Sequence, residues 1–593
     1  MSPSEIPGLR PASGVPWRLA AVALAGFVLL AVLAASSSPE PFDLVIRRAR
    51  VVDGSGSAWF RADVGVKDGR IAAVGMLTDA PAARTIDAGD RVLSPGFIDV
   101  HMHVEGNLPA RPDAANLVAD GVTTVVTGNC GASELDLDSW FTALERDGIA
   151  VNVASLIGHN SVRSDVMGYA DRPPTAAEQA RMEWLVERAM GAGAAGLSSG
   201  LIYSPGTFAR MEEVIALARV AGGHGGIYAT HMRSENDGLF PAIDEALETA
   251  RAAGIPLQIS HYKVTARKLW GSSARMLALI EAARREGQDV TVDEYPYAAS
   301  SSGLDVLLPE RILQAEGSVR HALVRRLADP ADRAAIAGDM RRRLGDELGR
   351  DHLDYGVVAS APWRPSIEGK NLRSLNREMG RTDALESEIE TVLDLCREGA
   401  ASGRGSVCGT QMVYHTMEES DVERIFAHPL TMVARDGGVA TPGTGAPHPR
   451  SYGTCARVLS RFVRERGLVT LEEAVRKMTS LPAARFRFAD RGLLKEGFRA
   501  DLVLFDPDTV ADLSRFEDPH HLSRGFDLVV VNGRIVREEG VATCERPGMV
   551  LRRKSYQRSA VSSQPVTRPE SSPFPVTAVF FAATMQEALR SLR

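Results

Sequence analysis

The chain has 593 residues, 44% hydrophobic and 24% charged, and a formal net charge of −7. That balance belongs to a large globular protein with room for more than one domain, and it excludes a positive field that would gather nucleic acid. Five cysteines (Cys130, Cys396, Cys408, Cys455, Cys544) are too sparse for a disulfide framework.

In chain order, Arg10 and Arg18 precede an apolar run over residues 19–35, which ends at Ser36-Ser37-Ser38-Pro39. The pattern predicts a secretory signal with Val32 and Ala34 as the small pair before cleavage, and hence an exported, periplasmic or extracellular protein. Left uncleaved, the run is barely long enough to anchor the chain in a membrane. No Cys follows it, which argues against a lipoprotein. Residues 1–41 are therefore set apart from the fold. Short β-like runs follow at 42–53 and 63–74, the second a hairpin with Asp68-Gly69 at its turn. The same pattern returns at 500–506 and 526–536. Residues 42–94 and 485–545 are expected to make one small β-sandwich domain from both chain ends.

Residues 95–484 alternate strand-like runs with longer helical patterns, the mark of an α/β domain with a parallel sheet. Strands are predicted at 97–103, 123–127, 150–156, 195–199, 226–230, 256–260, 289–293 and 431–435. Eight is the number a closed (β/α)8 TIM barrel needs. The charged, helical stretch at about 305–380 reads as an insertion beside the barrel mouth, a lid. Residues 551–593, rich in Arg, Ser and Pro up to about 575, are expected to be a disordered tail.

Active sites of such barrels lie at the C-terminal strand ends. The first strand ends in His101-Met102-His103, and side chains two apart on a strand face the same way. The other ends carry Cys130, His231, His261 and Asp436. One His at a strand end is more often structural; five such ends converging on one mouth are not. Imidazoles, a thiolate and a carboxylate suit zinc, which polarises a carbonyl and activates water. Asp436 can then take the proton of the attacking water and return it to a leaving nitrogen. Cys130 is expected to be a metal-held thiolate, not a nucleophile.

The run SPGFIDVHMH at 94–103 resembles the amidohydrolase superfamily. Further stretches resemble its N-acyl-D-amino-acid deacylase (D-aminoacylase) family: GNCG at 128–131, LIGHNSVR at 156–163, AAGLSSGLIYSPG at 194–206, ATHMR at 229–233, QISHYK at 258–263, DEYPY at 293–297 and HPR at 448–450. They cover most of the chain from about 43 to 540. Cys130, in place of a metal-bridging lysine, is the most specific feature. The resemblance implies a tight zinc held by Cys130, His231 and His261. It implies a second, weaker metal position outlined by His101 and His103 with Cys130 and Asp436, and Asp436 as catalytic acid/base. It assigns Lys263, Tyr295 and Ser301 to the substrate carboxylate. Arg450 is a further anion contact, and His159 a residue behind the metal ligands.

Two positions depart from the family pattern. Arg435 stands where a Ser often precedes the catalytic Asp; it either lowers the pKa of Asp436 or points into the strand's other face. Residues 104–107 (VEGN) carry their acidic residue later than many members do. The expected activity is zinc-dependent hydrolysis of small-molecule N-acyl-D-amino acids to a D-amino acid and a carboxylate. The alternatives are an amidohydrolase acting on D-configured dipeptides or cyclic amides, and a non-catalytic ligand-binding barrel.

Overall fold

The computed structural model of the protein describes residues 40–315 and 317–553. The signal or anchor expected before residue 40, and the tail beyond residue 553, lie outside the described residues.

Both chain ends build one nine-stranded sheet. Its order runs Val541–Ala542, Arg534–Glu538, Phe526–Val531, Leu502–Phe505, Val92–Pro95, Leu44–Val51, Phe60–Lys67 and Arg70–Gly75, with Thr85–Asp87 paired to Leu44–Val51. The join between the two chain ends is antiparallel, Leu504 facing Leu93. The sheet bends until Ile71, near one edge, shares an apolar core with Leu528 and Val530, near the other. The expected two-layered β domain is thus a single sheet folded over one core.

All eight strands predicted for the centre are present, and every pairing among them is parallel. Phe97–Asp99, Val122–Thr127 and Asn152–Ser155 form one run. Ile157–Gly158, Gly196–Gly200, Ile227–His231, Leu257–Ile259, Val290–Glu294 and Thr431–Val433 form the other. Asn152–Ser155 and Ile157–Gly158 are consecutive, separated only by Leu156, whose N–H donates to Thr127 O at 2.9 Å. At the far side Met102 bridges Gly437 in parallel, and Asp436 N donates to His101 O at 2.8 Å. All of these strands are buried at every residue, as expected where helices cover a parallel sheet. The helix Ala176–Gly191 shows why such cover forms. Thr175 and Glu178 close a capping box at its N-terminus, and Met182, Leu185, Val186 and Ala189 face inward.

The insertion is larger than its sequence suggests. It begins with Ser300–Gly303, which pairs antiparallel with Gln411–Tyr414, which in turn pairs with Gly356–Ser360. The helices Val319–Ala328, Pro330–Arg341, Leu372–Glu378 and Leu385–Ser402 complete it around a core of its own that includes Leu323, Met340, Val358, Ile389 and Cys396. The boundary at about 380 falls short because Leu385–Ser402 packs into this core and the closing strand lies beyond it.

The first residues of the expected tail are fixed in place. Leu551 N donates to Val153 O at 2.7 Å, Arg553 N donates to Gly193 O at 2.9 Å, and Arg552 pairs with Asp138 and Glu145.

Candidate active site

The predicted ligands converge at the C-terminal strand ends. His101 lies just past Phe97–Asp99, Cys130 past Val122–Thr127, and His261 past Leu257–Ile259; His231 closes its own strand. Three of these positions need unusual backbone. Cys130, His261 and Asp436 have φ of 52°, 33° and 51°. Left-handed backbone is costly for residues with a Cβ and persists where the surroundings hold it, most often at functional sites. Around Cys130 the glycines make the turn feasible. A Cβ at Gly128 would collide with Leu156 O, and one at Gly131 with the Asn160 side chain.

Cys130 Sγ is the centre of the cluster. His101 Nε2 lies 3.2 Å from it, and His231 Nδ1 and His261 Nε2 each lie 3.6 Å away. Zinc bonds of about 2.0–2.1 Å to nitrogen and 2.3 Å to sulfur would separate tetrahedral N and S donors by about 3.6 Å. The distances to Cys130 Sγ are those of such an ion's donors, and the donor atoms of His101, Cys130 and His261 all lie within 4.8 Å of one another. Ring edges of His231 and His261 meet at a centroid distance of 4.2 Å. Burial holds both imidazoles well below their usual pKa, so they are neutral, as metal ligands must be. Burial also pushes the Cys130 thiol up to about 11, so a cation at this point is what would make it a thiolate. His101, His103 and Asp436 form a second, adjoining group of donors.

Asp436 Oδ1 lies 3.3 Å from His103 Nε2 and 3.6 Å from His101 Nε2. Arg450 Nη2 pairs with its other oxygen at 2.9 Å. Burial works against the carboxylate, but Arg450, then His101 and His103, hold its pKa well below the usual range. His103 is itself pushed up to about 10; burial opposes this, and hydrogen bonding to Asp436 and Cys130 overcomes it.

Arg435 does not touch Asp436. Its guanidinium is fully buried behind the strands, 3.3 Å from Asp99 and 2.6 Å from Asp120. It points into the strand's other face, and Arg450 is the cation that tunes Asp436. Asp99 in turn accepts from His101 N at 3.2 Å, so Arg435 braces the strand end that carries the histidines.

The expected substrate contacts are close together but differently engaged. Lys263 Nζ is buried, 2.6 Å from Glu235 Oε1 and 2.7 Å from His261 Nδ1. Tyr295 sits with Arg450 over its ring at 4.3 Å and Lys263 at 5.7 Å. Ser301 Oγ donates to Met412 O at 2.8 Å and lines the cavity. Arg450 is held by Asp436, although its Nη1 is buried with no hydrogen-bond partner. His159 is elsewhere: its Nε2 meets Glu213 at 2.8 Å, in a buried network with Arg163.

Four residues were given no role from sequence, although Glu105 was noted as a departure from the family pattern. Glu235 lies 3.0 Å from His261 Nδ1 and 3.4 Å from His231 Nε2. Asp293 accepts from His261 N at 2.7 Å and from Gln258 at 2.6 Å, fixing the sixth strand end. Glu105 accepts from Thr127 and from Gly128 N, each at 2.6 Å, and so steadies the turn into Cys130. Tyr203 sets its ring 4.7 Å from His231 and lines the cavity. The signal was partly available, since Asp293 and Tyr203 lie inside stretches of the family resemblance.

Two lobes of the cavity meet at Asp436, Tyr203, Ser301 and Ser302. One reaches past His231, His261 and Lys263; the other passes His103, Cys130 and Arg450.

Parallel α/β strands that deliver histidines, a cysteine and an aspartate to one mouth define a metal-centred α/β site. Comparison with known proteins makes the assignment specific. The profile of the amidohydrolase family matches residues 84–331 and 406–537. D-aminoacylase from Alcaligenes xylosoxydans xylosoxydans is 37% identical over 540 residues, 87% of this chain and 99% of that protein. N-acyl-D-glutamate deacylase from the same organism is 38% identical over 536 residues, 87% of this chain and 97% of that protein. A crystal structure of N-acyl-D-glutamate deacylase from Bordetella bronchiseptica, with zinc and a phosphonate mimic of the tetrahedral intermediate, superposes with a TM-score of 0.73 at 35% identity, covering 86% of this chain and all of that one. The chain belongs to the amidohydrolase family, within its N-acyl-D-amino-acid deacylases.

Proposed function

We propose that the protein is a zinc-dependent hydrolase that cleaves N-acyl-D-amino acids to a D-amino acid and a carboxylate. The observation that carries this reading is the cluster of donors around Cys130 Sγ, beside an aspartate that Arg450 keeps ionised. Cys130, His231 and His261 would hold one tight zinc; His101 and His103, with Cys130 and Asp436, would outline a second, weaker position. The eight parallel strands would close as a (β/α)8 barrel, a reading supported by the Met102–Gly437 bridge.

Bound zinc supplies Lewis acidity toward the scissile carbonyl and makes water acidic enough to attack. The protein's own residues do the rest. Asp436 accepts the proton of the attacking water at the oxygen nearest His103 and delivers it to the amide nitrogen as that bond breaks. Arg450 fixes the carboxylate in place, so the proton is received at a set position. Lys263 and Ser301, in the lobe beyond His261, would bind the substrate's α-carboxylate together with Tyr295. An exported location rests on the sequence of residues 10–39 alone.

The test is metal content together with turnover of N-acetyl-D- and N-acetyl-L-amino acids. Hydrolysis of the D-series by zinc-replete protein is expected. Turnover of neither series would overturn the reading, and preference for the L-series would overturn its stereochemistry.

A further inference from the structure

The lobe that holds Lys263 and Ser301 has a second basic region. Its wall away from the metal end carries Arg267, Arg343 and Arg350 beside Leu344, Leu348 and Tyr355. Arg350 is 91% buried, taken from its 9% exposure, and its guanidinium lies over the Tyr355 ring at 4.3 Å. Among the described residues it has no carboxylate partner and no side-chain hydrogen bond. Asp354, the acidic group nearest it in sequence, lies 3.7 Å from Arg373. Arg343 reaches only two carbonyls, of Val306 and Leu308, at 3.4 and 3.5 Å. The lobe's two carboxylates are both engaged at the metal end, Glu235 by Lys263 and Asp436 by Arg450.

None of the Arg350 side-chain nitrogens is sealed from solvent, so the guanidinium faces the cavity, hydrated and without a protein acceptor. It stays cationic even so. The arrangement makes sense if an anion completes it. Arg343 and Arg350 lie in residues 332–405, the stretch that the family profile does not match, whereas Arg267 lies within the matched residues 84–331. Nor does overall identity choose a side chain, since the D-aminoacylase and the N-acyl-D-glutamate deacylase differ by one percentage point.

We infer that this wall selects substrates whose amino-acid side chain ends in a carboxylate, such as N-acyl derivatives of D-glutamate or D-aspartate. The inference rests on the deacylase reading, which places the α-carboxylate on Lys263 and Ser301 in the same lobe. The side chain, rather than the acyl group, then extends toward Arg350. Tyr355 and the leucines pack its methylenes, and the guanidinium groups accept its charge.

The experiment compares N-acetyl-D-glutamate with N-acetyl-D-glutamine, which match in shape and differ in charge, using the zinc-loaded full chain. The wild type is expected to favour the glutamate substrate in kcat/KM by about 10- to 100-fold, the range of a hydrogen-bonded charge. Arg350→Met is expected to remove most of that preference while leaving glutamine turnover within about threefold, which also shows that the variant is folded. Should Arg350→Met fail to fold, Arg267→Gln, at an exposed position, is expected to reduce the same preference in part. Equal or better turnover of the glutamine substrate by the wild type would overturn the inference and leave the deacylase reading standing. Loss of both substrates in equal proportion in both variants would also overturn it. Turnover of no N-acetyl-D-amino acid would remove the deacylase reading and this inference with it.

Discussion

The two ends of one cavity treat charge in opposite ways. At the strand ends, the charges that face the site are matched: Asp436 meets Arg450, Lys263 meets Glu235, and Arg435 is shared by Asp99 and Asp120, while burial drives the unpaired Glu294 toward its neutral form. On the wall contributed by the insertion, Arg350 is buried with only an aromatic ring beside it. The difference separates two tasks. A paired network fixes the position of groups that must act on every substrate. A cation left without a partner is incomplete until a particular ligand arrives, so it discriminates.

The matched end should be fragile to single deletions. The largest effect is expected for Asp436→Asn, which keeps shape but cannot take up a proton. Its kcat should fall by about 10²–10⁴-fold with zinc content unchanged, read by turnover and metal analysis. Loss of zinc in parallel would recast Asp436 as chiefly a ligand. Next is Arg435→Met, which strands Asp99 and Asp120 in the interior. Denaturant unfolding should show a loss of about 3–5 kcal/mol. A loss under about 1 kcal/mol would mean the carboxylates are satisfied by other donors, Asp120 by Cys455 N, Ala456 N and Ser523. A smaller effect is expected for Lys263→Met: KM for N-acyl-D-amino acids should rise about tenfold with kcat changed less. If zinc content drops instead, its hold on Glu235 and His261 is its main role.

The sequence carried the frame further than the fittings. Eight parallel strands were legible because each is a short apolar run, and five of them end in the His, Cys or Asp residues that the site uses. The positive φ at Cys130, His261 and Asp436 has no sequence signature of its own, since glycines hint at a tight turn only beside Cys130 and Asp436. The insertion was cut short because its helix Leu385–Ser402 is amphipathic, like the helices that cover the parallel strands. Only its partner strands, on either side in the chain, show which core it joins. Arg435 was ambiguous for a similar reason: adjacent strand residues face opposite ways, and the sequence does not say where Asp99 and Asp120 lie. Glu235 was passed over because a lone glutamate in a loop is usually solvated, and Glu105 was read only as a departure from the family pattern; both work through atoms distant in sequence.

X-ray absorption at the zinc edge tests the central claim most directly. The wild-type ion is expected to show one sulfur at about 2.3 Å among nitrogen and oxygen ligands at about 2.0–2.2 Å. Cys130→Ala is expected to lose the sulfur shell and most of the bound zinc. A wild-type spectrum with no sulfur shell, or full zinc occupancy in Cys130→Ala, would contradict a metal centre built on Cys130.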